Sequence, residues 1–126
     1  MNTRYFTKSL FKLALECPTK LYYFGKPEYK NDQEEDAFLE ALKAGGYQVG
    51  ALAKAYIDGG VDLQDCNNEQ AYQRTQELLK QNKVTIFEAL FRHENMQIRC
   101  DILIKDGDKL EIIEVKSSSY SDKDSE

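Results

Sequence analysis

A chain of 126 residues with 41% hydrophobic content is long enough for one domain with its own core. No apolar run approaches the ~20 residues of a membrane span, and Met1 to Lys12 has no signal-peptide apolar region, which excludes a spanning protein and makes the cytoplasm the default location. The formal net charge of -5 excludes a uniformly basic nucleic-acid binder, yet the charge is uneven, with Arg4, Lys8, Lys12, Lys20, Lys26 and Lys30 set against only Glu16 and Glu28 at the N-terminal end.

Thr7 to Leu15 reads as a helix with Leu10, Phe11, Ala14 and Leu15 on one side. Pro18 either interrupts it or opens a second short helix through Leu21, Tyr22 and Phe24, whose aromatic rings are expected in the core. After a turn at Gly25 and Pro27, Asp32 and Glu35 have the form of a capping box ahead of Phe38, Leu39 and Leu42. Gly45 and Gly46 are expected to stop that helix, Tyr47 to Ile57 to form another, and Gly59-Gly60 to end it before a brief extended piece at Val61 to Leu63. Asn67 or Asn68 can cap a helix running to about Lys80, with Ala71, Tyr72, Thr75, Leu78 and Leu79 facing inward. Acidic residues from Asp32 to Glu40 follow the basic start, so one end of the domain is expected to be basic, with Lys8, Lys12 and Lys20 as candidate nucleic-acid contacts. A solvated helix face is the other reading of those lysines.

From Val84 to Lys116 the period changes to that of three strands separated by tight polar turns at His93 to Asn95 and Asp106-Gly107-Asp108. The expected fold class is α/β of the α+β kind, a helical N-terminal half followed by a three-stranded, largely antiparallel sheet. Residues 1–118 form the domain, and 119–126 belong to a Ser-, Asp- and Lys-rich tail expected to be disordered.

Strand geometry tests whether the acids of this region converge, because directly paired residues share a face. With Glu94-Asn95 as a loop, His93 pairs with Met96 and Glu88 comes opposite Asp101. For the second hairpin two loops stay open. An Asp106-Gly107 loop pairs Asp101 with Ile112 and keeps Glu114 and Lys116 on its face, whereas a Gly107-Asp108 loop sets Asp101 directly opposite Glu114. The other face takes Phe87, Ala89, Phe91, Ile98, Cys100, Ile102 and Ile104 as a packing surface.

Acids gathered in this way invite a cation. Asp101, Glu114 and the backbone carbonyl of Val115, with Glu88 as a further ligand, offer the oxygen donors that Mg²⁺ or Mn²⁺ accepts. Such an ion polarises a phosphate and activates water, while Lys116 orients that water or stabilises the phosphorus centre. Asp101, Glu114 and Lys116 are therefore the candidate catalytic set. His93 falls in a turn at the far end of its hairpin and is left out, and Cys100 is read as packing. Cys17, Cys66 and Cys100 are odd in number without a C-x-x-C spacing, so reduced thiols are expected rather than disulfides or a zinc site.

Asp101 with Glu114-Val115-Lys116 resembles the signature of the PD-(D/E)XK nuclease superfamily. Thr7-Lys8-Ser9-Leu10 through Glu16-Cys17-Pro18-Thr19-Lys20-Leu21-Tyr22-Tyr23 is similar to the opening of its RecB-like branch, which includes AddB-type and CRISPR-associated exonucleases. Cys100 stands where the family name has proline, and neither Gly46 nor Gly50 leads to the histidine of a G-x-x-H pattern. The resemblance implies a restriction-endonuclease-like core truncated before its last helix and strand, hence the N-terminal piece of a longer polypeptide. It also implies a Mg²⁺- or Mn²⁺-dependent DNA nuclease, with RNA as the alternative substrate. The cysteines do not match the family's iron-sulfur arrangement. Two other readings stand beside it: a degenerate nuclease-fold module that binds nucleic acid or a protein partner, and a structural domain with exposed acidic hairpins and no ligand.

Overall fold

The structure, a computed structural model, describes residues 5–29 and 36–117. The expected cap at Asp32 and Glu35, the basic residues Arg4 and Lys30 and the tail 119–126 lie outside the described residues. In chain order the elements are β1 (Phe6–Thr7), α1 (Lys8–Glu16), α2 (Pro18–Tyr23), α3 (Ala37–Tyr56), β2 (Val61–Asp62), α4 (Asn68–Leu78), β3 (Lys83–His93), β4 (Met96–Asp106) and β5 (Lys109–Ile113). No helix among the described residues is long and apolar enough to cross a membrane.

Local chemistry accounts for most boundaries. Thr7 caps α1 by accepting from the Leu10 N–H, and Pro18 sits at the start of α2, where its missing N–H costs nothing. Asn67 and Gln70 form a reciprocal capping box at α4. At the other end of α4 the Lys105 ammonium donates to the Leu79 carbonyl at 2.6 Å, satisfying an acceptor the helix leaves open.

Two expectations about the helices fail. Gly45 and Gly46 do not stop a helix: α3 runs unbroken through both, with Asp36 as its cap. Each glycine costs only about 1 kcal/mol relative to alanine, and the good helix formers on both sides carry the segment through. The aromatics of the first two helices are not core either, with Tyr22 65% and Phe11 52% exposed. Tyr22, Tyr23 and Tyr29 instead stack edge to face on one another, with Lys26 over the Tyr22 ring.

The sheet has five strands, not three, and is mixed: the three expected strands pair antiparallel, and two short strands add parallel pairings. β3 and β4 form the expected hairpin with His93 paired to Met96, and β5 returns antiparallel along β4. Two short strands add parallel edges, β1 on β4 at Met96 and Gln97, and β2 on β3 at Ile86 and Phe87. Each is two residues long; β2 falls in the extended piece expected at Val61 to Leu63, whereas β1 is too short for any period in the sequence to reveal it. α4 covers the sheet, and Ala71, Thr75 and Leu78 are buried against Ile86, Leu90 and Leu103. Beyond the reach of β2, the buried Leu90 N–H is taken by the Thr75 hydroxyl at 3.0 Å, so α4 completes the edge of β3. At the start of β2, a Cβ on Gly60 would stand 2.2 Å from the Phe87 ring, so only glycine fits that approach.

The expected packing face is buried at Phe87, Ala89, Cys100 and Ile102, but the opposite face is buried beside it. Ile86, Ala89, Leu90, Cys100 and Leu103 share one core cluster, Phe87 and Ile102 are buried as well, and Ile98 is exposed. Residues of both parities are therefore buried in the middle of the hairpin. The register is the same on both sides of Glu88, and β4 buries both parities as well at Ile102 and Leu103, so both faces of the hairpin are covered here.

Candidate active site

Turn chemistry sets the register. In the β4–β5 hairpin Asp106 pairs with Lys109, so the loop is Gly107-Asp108, with Gly107 at φ 61° in the first loop position. A positive φ there suits the two-residue turns that match strand twist. Counting from Ile102 paired with Ile113 sets Asp101 opposite Glu114, immediately past the end of β5. In the β3–β4 hairpin Phe87 pairs with Ile102 and Ala89 with Cys100, which leaves Glu88 opposite Asp101. Glu88 itself makes no ladder pair. It is a non-glycine residue in the left-handed region, a conformation that costs on the order of 1–2 kcal/mol and persists only where the surroundings enforce it.

The Asp101 carboxylate accepts the Val115 N–H at 2.6 Å, which ties the end of β5 to β4 after regular pairing has stopped. Glu114 takes two cations. Lys116 donates to its Oε1 at 2.6 Å, and Lys8 at the start of α1 bonds to the same oxygen. These contacts, Lys116 first, hold the Glu114 carboxyl below the usual glutamate range, and the same carboxylate raises the Lys116 ammonium above its ordinary value.

Glu88 has the opposite environment. Burial pushes its carboxyl above the usual range, the Lys54 charge opposes the rise and the Asp101 carboxylate adds to it. A recess of about 620 Å³ lies between α3 and the sheet, with Gly46, Gly50 and Lys54 on the helix side and Glu88, Asp101 and Val115 on the strand side. Lys54 is held there by Asp62 at 3.1 Å and Gln64 at 2.6 Å. Arg99 also lines the recess. It donates to the Cys66 carbonyl at 3.0 Å, and its buried Nε has no hydrogen-bond partner among the described residues.

The expected residues thus divide into two groups. Glu88, Asp101 and Val115 meet in the recess, while Glu114 is bound by Lys8 and Lys116. Among the described residues no three His, Cys, Asp or Glu side chains gather closely enough to hold a metal ion. Lys12 and Lys20 are exposed on the first two helices, with Glu16 3.8 Å from Lys20. Cys100 is buried and donates its thiol to the Ala89 carbonyl, Cys17 and Cys66 are free thiols, and His93 is exposed at the hairpin end.

Lys54 and the α3 wall were not anticipated. Gly46, Gly50 and Lys54 recur at intervals of four and so share one helix face, a spacing visible in the sequence once the helix is known to continue through Gly46. Comparison with models of known protein families, with characterised proteins and with solved structures finds no match to this chain.

Proposed function

We propose that this chain is a divalent-metal-dependent nuclease domain of the PD-(D/E)XK type, in the RecB-like branch, hydrolysing phosphodiester bonds of DNA. One observation carries the reading: two-residue turns set Glu88 opposite Asp101 and Asp101 opposite Glu114, with Lys116 two residues beyond, in a strained and partly buried corner of the sheet. The β3, β4 and β5 strands then correspond to the central strands of a restriction-endonuclease-like core.

Hard oxygen donors suit Mg²⁺ or Mn²⁺, which commonly binds one or two protein carboxylates together with substrate phosphate and water. Asp101 and Glu88, which share the recess with Val115, are the residues that would hold the ion, while Glu114 is taken by Lys8 and Lys116. When bound, it supplies phosphate polarisation and a water of lowered pKa. Asp101 is oriented for this by the Val115 N–H. Lys116 carries its proton firmly beside Glu114 and serves as a positive group at the phosphate, and the exposed Lys12 and Lys20 contact the strand beyond it.

The occupation of Glu114 by two lysines favours a second reading, a nuclease fold that has lost catalysis and binds nucleic acid or a protein partner. Degradation of linear single- and double-stranded DNA with Mn²⁺, beside a Lys116→Ala control, separates the two. The nuclease reading expects cleavage reduced at least about a hundredfold in the variant. Equal degradation by both proteins, or none by either, refutes it.

A further inference from the structure

α3 carries a second face that the recess does not use. Phe38, Leu42, Gly45, Val49, Leu52 and Tyr56 follow one another at steps of four, three, four, three and four, the seven-residue repeat of a helix that packs along another helix. None of the six lines the recess, and Phe38, Leu42, Leu52 and Tyr56 are exposed, Tyr56 by 90%. The charged residues of α3, Glu40, Lys43 and Lys54, fall on the other side of the helix. The positions flanking the seam, Leu39, Ala41, Gly46, Gln48, Ala53 and Ala55, are uncharged.

A seam of this period calls for a helix as its partner, and among the described helices only α3 itself, 20 residues long against 6 to 11 for the others, matches its length. Set antiparallel on its own copy about a two-fold axis, the seam is self-complementary. Phe38 meets Tyr56, Leu42 meets Leu52, and Gly45, which has open space where a Cβ would go, receives Val49. A parallel pair would set Gly45 on Gly45 and leave a void at the centre. We propose that α3 pairs antiparallel with α3 of a second copy, making this chain a homodimer. The uncharged flanks bring no like charges together, and the pair gives α3 the burial that its own chain does not supply. The four exposed side chains offer roughly 500 Å² per copy and about 1,000 Å² for the pair, the lower bound of a specific interface, so the dimer is weak and reversible. The pairing is independent of what the recess binds.

The test is sedimentation equilibrium of the 126-residue chain with its thiols kept reduced, from about 5 to about 500 μM, which should pass from monomer to dimer. Leu42→Glu and Leu52→Lys each place an unpaired charge in the seam and should weaken association at least about tenfold. Ala44→Glu, on an exposed part of α3 away from the seam, should leave it unchanged. Mixed in equal amounts, the Leu42→Glu and Leu52→Lys proteins should recover dimer to within about threefold of the wild-type affinity, because an antiparallel pair sets position 42 of one copy against position 52 of the other. Monomer throughout the range, a dimer that both seam substitutions leave intact, or a mixture no more associated than its two components overturns the proposal.

Discussion

Leu90 on β3 is fully enclosed, whereas Leu52 on α3 is 70% exposed, and the two leucines stand for two regions with different means of support. The sheet and α4 bury Ile86, Leu90, Leu103, Ala71 and Leu78 together. None of the side chains of α1, α2 or α3 is buried, although Phe38, Leu42, Tyr47 and Leu52 are all apolar and on one helix. Stability therefore resides in the hairpin and α4, and the helix that walls the recess contributes to it little. An element held this lightly can move relative to the acids beneath it without unfolding the core.

The sharpest way to break that comparison is a pair of truncations. Leu90→Ala should lower unfolding stability by about 3–4 kcal/mol, and Leu52→Ala should stay within about 0.5 kcal/mol of wild type. Urea melts followed by circular dichroism measure both. Comparable losses would mean that α3 is clamped to the sheet in solution.

The same division explains what could be read from the sequence. α4 was legible because its capping residues and inward face repeat at helical spacing, and burial followed the pattern at Ala71, Thr75 and Leu78. The first hairpin was legible because a two-residue loop leaves no freedom in the counting that follows. The second stayed open between two loops since both Asp106-Gly107 and Gly107-Asp108 are good turn pairs, and either one keeps Asp101 and Glu114 on a common face. The helix through Gly45 and Gly46 was not legible because paired glycines are also the usual local signal for a helix end, and only the helix formers on both sides, taken together, outweigh their cost. The left-handed backbone at Glu88 has no local signal at all, since glutamate does not advertise a positive φ.

A smaller effect sharpens the contrast between two glutamates of the candidate site. Glu88 is raised by burial, so the folded chain binds its proton more tightly than the unfolded one. Its contribution to stability is complete below the ordinary glutamate value of about 4.3 and is lost as pH rises through the raised value. Glu114 is lowered by Lys116 and Lys8, so its contribution is present above that ordinary value and is lost as pH falls through the depressed one. Asparagine tolerates the left-handed backbone and carries no charge. Glu88→Asn should therefore stabilise the chain at neutral pH by about 1 kcal/mol through relief of strain, with a further gain that shrinks as pH is lowered toward 4. Melts at a series of pH values check this, and a neutral-pH loss of stability would show that Glu88 is held by favourable contacts instead of being forced into place.

The central claim is that the acids opposed across β3, β4 and the end of β5 form a divalent-cation site, and paramagnetic broadening of amide signals by substoichiometric Mn²⁺ tests it most directly. The account predicts that the amides of Glu88, Asp101, Glu114 and Val115 broaden first, and that Asp101→Asn abolishes the effect. Broadening confined to other surface carboxylates such as Asp62 or Asp106, and unchanged in Asp101→Asn, would contradict it.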